Sequence, residues 1–337
     1  MSSVIEPTFT DTDVNIGLNA VIVAVSEAEP RVLVVRGATS SQLSTRFPKR
    51  ATLPSGPFRP TDHRTLEIGL RSWVEAQTRE TLGYVEQLYT FGDRGRDARE
   101  IDGGPRFLSV GYLALAREAV RLDTDDAVWQ DWYRFFPWED WRNGFPHVLS
   151  DNILPGLATW AGEGRVASEQ SERQQRINIA FCDDAKSWND ELVLERYELL
   201  YEAGIVAEAL IDRGDSIKPT EFSRYPGETM MHDHRRILAT GMGRLRGKIK
   251  YRPVIFELMP PSFTLLQLQH AVEGMAGLRL HKQNFRRLVE ARGLVERTGA
   301  TASGTQGRPA ALFRFRSEVL LERLALMSNL PAKQGLG

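Results

Sequence analysis

Residues 15–25 (NIGLNAVIVAV) and 31–36 (RVLVVR) are apolar runs rich in β-branched side chains, separated by a polar turn over 26–30. Runs of this length, closed by turn residues, predict two buried strands joined as a hairpin. Residues 37–50 form a loop rich in Ser, Thr and basic side chains, and 53–58 (LPSGPF) reads as a turn. Over 64–82 the apolar residues Leu66, Leu70, Trp73 and Val74 recur near helical spacing. Residues 84–91 and 107–116 (FLSVGYLALA) return to a strand pattern around a charged loop. The order strand, strand, turn, helix, strand, strand predicts a mixed α/β layer fold.

Beyond this unit, Trp129, Trp132, Trp138 and Trp141 crowd together with Tyr133, Phe135 and Phe136. Such a cluster closes a core or a domain interface more often than it stacks on bases. Residues 151–175 read as loop and 176–182 (RINIAFC) as a strand. Residues 190–212 predict one long amphipathic helix, 213–229 a loop, and 232–250 a second helix with a basic end that suits its dipole. The final pattern is different. Thr264 caps a helix with Leu265, Leu268 and Val272 on one face, and Gly277 ends it. Residues 281–292 form a second helix with Phe285, Leu288 and Val289 on one face, stopped by Gly293. Residues 294–298 and 310–316 then predict a β-hairpin. Two short helices followed by a hairpin are the layout of a winged helix-turn-helix.

Charge sharpens this division. From Arg244 to Arg316 there are 14 Lys and Arg against 4 Glu and no Asp, while the whole chain nets −1. A basic end on an otherwise acidic protein points to a polyanionic partner. Opposite the apolar face of the second short helix stand Gln283, Arg287 and Glu290, flanked by Asn284 and Arg286. Gln, Asn and Arg are the side chains that bond adenine and guanine edges in the major groove. Lys282, Arg308 on the hairpin loop, and the capping Thr264 suit phosphate or minor-groove contact. The partner expected is double-stranded DNA; the alternative is a protein-interaction module with a basic face.

No apolar run approaches the length needed to span a bilayer, and the acidic N-terminus lacks the apolar stretch of a secretion signal. The single cysteine, Cys182, excludes an intrachain disulfide framework and a thiolate metal cluster. A cytoplasmic protein without a membrane partner is expected. His147, His232 and His234 lack partners at metal-ligand spacing and read as solvent or core histidines.

The segment LPSGPFRPTDHRTLEIGLRSWVEAQT, after two strands and before the next, resembles the Nudix signature. In that family a loop–helix–loop clusters glutamates that hold divalent metal beside a pyrophosphate. Gly56 matches the opening glycine with one extra residue following, Arg71 the arginine, Trp73 the apolar position and Glu75 one metal-binding glutamate. His63, Ser72 and Ala76 stand where three other glutamates belong, and Thr78 replaces the closing glycine. A hard cation needs such carboxylates, so metal-assisted hydrolysis is not expected and no cofactor is. The cleft then reads as a nucleotide-binding module, with Arg36, Lys49, Arg50 and Arg71 as phosphate partners by charge and position; Arg71 equally suits a bracing role. The competing reading is an active hydrolase of ADP-ribose or a similar nucleoside diphosphate, using Glu75 with Asp93, Asp97 or Glu100.

A longer resemblance runs through YVEQLYTFGDRGRD, RFLSVGYLALA, HDHRRILATGMGRLRGKIKYRP and the whole of the basic end, in that order. These segments look like the Nudix-related transcriptional regulators of NAD metabolism. The resemblance implies an α/β Nudix-like effector domain over 13–145, a linker helix over 231–253 and a winged helix over 254–320. It further implies a homodimeric repressor whose effector is ADP-ribose or a related nucleotide. Residues 146–230 are an insert relative to shorter members, fitting a dimerisation element, a lid or a spacer.

Overall fold

The computed structural model describes residues 14–36, 50–94, 104–117, 126–182, 187–215, 217–251, 254–302 and 309–316. Strands β1 (Val14–Ser26), β2 (Glu29–Arg36), β3 (Ala51–Thr52), β4 (Ser55–Pro57), β5 (Val85–Phe91), β6 (Arg106–Leu115) and β7 (Ala127–Asp131) form one mixed seven-stranded sheet. Its order is β3-β2-β1-β6-β5, with β4 on β1 and β7 on β2. The β1–β6 pair is parallel, from Val14 against Arg106 to Val23 against Leu115, and the other pairs are antiparallel. Strand β1 is buried without a break from Gly17 to Ala24 because both its faces are covered. Leu18, Ala20 and Ile22 meet helix α1 (Leu66–Thr78) through Leu70 and Val74; Val21 and Val23 face a layer of helices on the other side.

The predicted turn at 53–58 proves to hold β4, which pairs Gly17 with Pro57. Strand β7 lies in what reads as an aromatic segment; Trp129 sits within it opposite Leu33. The aromatic cluster itself is core: Trp132, Phe135, Phe136 and Trp138 are fully buried.

The insert corrects two expectations. Residues 151–175 are not loop, and 176–182 are not a strand. A π-turn leads into α2 (Leu154–Gly162), followed by α3 (Ala167–Ala180). The polar run SEQSERQQ is the solvent side of α3, and its inner side is carried by Ile177 and Ala180, three residues apart. The single long helix expected over 190–212 is broken into α4 (Val193–Glu202) and α5 (Ala207–Asp212) at Gly204, whose φ of 70° no continuous helix accommodates.

Helix α6 (His234–Tyr251) lies centrally across the sheet, burying Ile237, Leu238, Met242 and Leu245. The winged helix follows: α7 (Leu265–Ala276), α8 (Lys282–Ala291), β8 (Val295–Thr301) and β9 (Ala311–Phe315). Phe263 bridges Phe313 as a third, minimal strand of the wing. Thr264 and Gln267 form a reciprocal capping box at the start of α7.

The winged helix docks by α7 on the β1–β2 turn and the aromatic segment. A Cβ on Gly274 would stand 2.5 Å from the Ala28 carbonyl oxygen. The Tyr133 hydroxyl donates to the Gly274 carbonyl at 2.7 Å, and the Trp141 amide to the Gly277 carbonyl at 2.8 Å. Gly274→Ala should therefore lower the unfolding free energy by about 1–3 kcal/mol, the range for forced overpacking. Chemical denaturation checks this; an unchanged midpoint would mean that α7 does not bear on the turn.

Candidate effector cleft and nucleic-acid interface

The loop–helix–loop is built around Trp73 and His63. Gly56 on β4 runs under the indole, where a Cβ would lie 2.3 Å from the ring, and the Trp73 Nε1–H donates to the Pro57 carbonyl at 2.9 Å. Thr65 caps α1, accepting from the Ile68 amide. His63, at the first glutamate position, is buried; its Nδ1 accepts from the Arg59 amide at 3.1 Å, and its Nε2 lies 3.5 Å from the Ser72 hydroxyl. The loop that would present a carboxylate to a cation is thus closed by an imidazole that packs.

Arg71 is engaged. It bonds Glu67 at 2.9 Å, the Gly83 carbonyl at 3.1 Å and the Leu82 carbonyl, fastening α1 to the chain that follows it. Glu75 is exposed on α1. Arg50 is half-buried, donating to the Met230 carbonyl at 3.2 Å near Glu208 and Asp212. Burial lowers its pKa in spite of those carboxylates. Lys49 and the side chain of Arg36 lie outside the described residues, as do Asp97 and Glu100. Asp93 is ion-paired with Arg236 on α6. Among the described residues no group of three or more His, Cys, Asp or Glu is arranged to hold a metal ion. His234 is a core histidine whose Nδ1 accepts from the Leu53 amide at 2.9 Å.

On α8, Lys282, Gln283, Asn284, Arg286 and Arg287 all project into solvent from one amphipathic helix anchored by buried Phe285 and Val289. Leu288, expected on the buried face, is 50% exposed. Arg287 lies 3.5 Å from the Asn284 amide oxygen. Thr264 is half-buried and its hydroxyl is occupied as the α7 cap, accepting from the Gln267 amide; Arg308 lies outside the described residues. Arg297, which the sequence reading passed over, stands on β8 with its guanidinium 5.9 Å over the Phe313 ring. Only its place opposite β9 shows that it shares the wing surface.

What the sequence reading missed altogether is a buried polar network that joins the chain after β7, the insert and the winged helix. Glu139 is fully buried and receives Arg196 from α4 at 2.6 and 2.9 Å and Arg246 from α6 at 2.6 Å. Burial alone would raise its carboxyl, but the two guanidiniums hold it below the usual range. Arg246 also donates to the Met275 carbonyl on α7 at 3.0 Å and to the Tyr133 hydroxyl at 3.3 Å. Burial pushes the Tyr133 phenol up to about 12, so it stays a donor to Gly274.

These features define a Nudix-type sheet and helix joined to a winged helix-turn-helix. The sequence model of the NrtR DNA-binding winged helix domain matches residues 255–315. The ADPR responsive transcriptional repressor NtrR of Acinetobacter baylyi is 40% identical over 83 residues, which are 25% of this chain and 33% of that protein. The match therefore spans about a third of the repressor's length. Among solved structures, Shewanella oneidensis NrtR complexed with a 27mer DNA is 20% identical with a TM-score of 0.51, covering 90% of this chain and 94% of that one. A MutT/nudix family protein from Enterococcus faecalis is 12% identical with a TM-score of 0.50, covering 92% and 89%. The expected fold class stands: a Nudix-like mixed sheet followed by an NrtR-type winged helix. Among the described residues no helix is long and apolar enough to cross a membrane.

Near Arg50, Asp212 accepts from the Tyr201 hydroxyl at 2.8 Å, and burial, with Asp233 and Glu208 nearby, pushes its carboxyl up to about 7. A carboxyl with a folded pKa above its unfolded value, about 3.9, contributes a penalty that is absent at low pH and grows as pH rises through that window. Asp212→Asn should match the wild type in stability near pH 4 and exceed it increasingly up to pH 7–8 in denaturation curves. A constant difference across that range would contradict the shift.

Proposed function

We propose that the protein is a transcriptional regulator, a repressor of NAD-metabolism genes, that binds operator DNA through its winged helix. Its Nudix-like domain senses ADP-ribose or a related nucleotide and does not hydrolyse it. The observation that carries the reading is the pairing of an NrtR-type winged helix with a Nudix helix that keeps Glu75 and replaces the other glutamates by His63, Ser72 and Ala76. The ADPR-responsive repressor of Acinetobacter baylyi, similar over 83 residues, supports the same assignment.

On this reading Gln283, Asn284, Arg286 and Arg287 enter the major groove, and Lys282, Thr264 and Arg308 serve the backbone. A homodimer sets two recognition helices about 34 Å apart on a near-palindromic site. The nucleotide occupies the cleft beside Gly56, Arg71 and Glu75, with Arg36 and Lys49 as further phosphate partners. Arg50, turned toward Met230, contributes through position rather than contact. For the nucleotide to release DNA it must favour the non-binding arrangement, by a coupling of about 1–3 kcal/mol.

Electrophoretic mobility shifts on promoter DNA of NAD-metabolism genes should show binding that ADP-ribose weakens roughly 5- to 150-fold at saturation. Unchanged binding at millimolar ADP-ribose removes that effector. Arg287→Ala should cost about 1–3 kcal/mol and relax sequence preference, whereas Lys282→Ala should weaken binding to all sequences alike and flatten the salt dependence. Incubation with ADP-ribose and Mg²⁺ or Mn²⁺ should release no AMP at an enzymatic rate; sustained release assigns the protein to the hydrolases instead.

A further inference from the structure

The beginning of β5 is gripped by cationic side chains from both faces of the sheet. From α1, Arg71 donates to the Leu82 carbonyl and, at 3.1 Å, to the Gly83 carbonyl, while its Nε bonds Glu67 at 2.9 Å. From α6, Lys248 donates to the Tyr84 hydroxyl at 3.2 Å and pairs with Glu86, to which that hydroxyl donates in turn. Arg244, one turn earlier on α6, stands 3.7 Å from the other Glu86 oxygen. Burial alone would raise the Glu86 carboxyl, but Lys248 and Tyr84 hold it below the usual range. The alternation of a strand makes the division: Val85 packs in the cluster of Leu70 and Val74 on α1. Tyr84 and Leu88 pack in the cluster of Met242 and Leu245 on α6.

Two features let this strand move. Strand β5 ends the sheet order beside β6, and its pairing there slips between Gln87 and Thr90, whereas β1 is paired along both sides. Such a strand shifts at less cost than the centre of a sheet. The second feature is Arg71 itself, 36% exposed on α1. It is the cation beside the cleft in which the nucleotide is proposed to bind, and the inference rests on that reading. Its partners at Leu82 and Gly83 are neutral carbonyls. A diphosphate offers charged oxygens, and charge-assisted hydrogen bonds are roughly twice as strong as neutral ones. Glu67 is repelled by the same charge. The guanidinium thus has two competing sets of partners.

We propose that Arg71 is the switch of the cleft: bound diphosphate draws it from the Leu82 and Gly83 carbonyls, and the released start of β5 acts through Tyr84 and Glu86 on Lys248 of α6. Lys248 stands two residues from Arg246, which donates to the Met275 carbonyl of α7 at 3.0 Å, so the path ends at the winged helix. A ligand shifts an equilibrium only by interacting differently with its two states, and two arrangements of one side chain supply that difference. Tyr84, Glu86 and Lys248 are positioning residues between the two sites.

Hydrogen exchange of the full chain with and without ADP-ribose, beside calorimetric titration of the nucleotide, tests it. In the wild type ADP-ribose should speed exchange over 82–88 and change it over 244–250. Lys248→Met removes the charge at nearly constant length, and Glu86→Gln removes it at constant shape. Both should bind ADP-ribose with the wild-type affinity and lose the response over 244–250; unchanged exchange in β1 and α4 without ligand checks their folds. If the wild type takes up no ADP-ribose, the reading of the cleft fails and the inference falls with it. Binding with no faster exchange over 82–88 overturns the switch while leaving that reading intact. A response over 244–250 that survives both substitutions overturns the route through Lys248.

Discussion

A single carboxylate without solvent, Glu139, is satisfied only when three parts of the chain come together. Its own segment follows β7; Arg196 reaches it from the insert and Arg246 from the helix leading to the winged helix. Two guanidiniums on one carboxylate leave one positive charge in excess, and that charge is spread over the carbonyls of Ala180, Asn189, Asp190 and Met275. Arg196 also lies 3.8 Å over the Trp188 ring. Desolvating such charges is expensive, and a partner's removal leaves the others buried and unpaired, typically costing 3–5 kcal/mol. The network therefore contributes less to net stability than to choosing one arrangement of sheet, insert and winged helix over others.

A second network repeats the design. Arg235 on α6 binds Glu208 on α5 at 3.0 Å and the Phe135 and Pro226 carbonyls, while Glu208 accepts from the Met230 amide. The insert is thus pinned twice to the helix that precedes the winged helix. Its helices share one apolar core with the sheet and with Phe285 and Phe313 of the winged helix. On the opposite face of the sheet, His63 packs beside the start of α1, Arg71 braces the helix against the chain that follows it, and Glu75 stands exposed.

Periodicity made β1, β2, β5, β6, α1, α6 and both helices of the winged helix legible, because each carries a regular apolar pattern. Helix α1 lies within the span that the spacing marked, 64–82, and ends four residues sooner, while α7 starts directly after its cap Thr264 and ends at Gly277. The insert was misread because α3 is polar on most of its circumference, so its two inward residues leave almost no periodic signal. Strand β4 is too short and too rich in glycine and proline to show alternation. Arg50 was read by charge and proximity to the signature, but it donates to the Met230 carbonyl beside Glu208 and Asp212, partners far from it in sequence. The Glu139 network was invisible for a physical reason: its members lie 57 and 107 positions apart, and nothing local distinguishes a buried Arg from a solvated one.

Hydrogen exchange of Glu139→Gln against the wild type tests the central claim most directly, since it removes the shared charge and keeps the shape. If this carboxylate joins the parts, protection should fall together in α4, in α6 around Arg246 and in α7 near Met275, while α1 on the far face changes little. A loss confined to the chain around Glu139, with α4 and α7 exchanging as before, would contradict it.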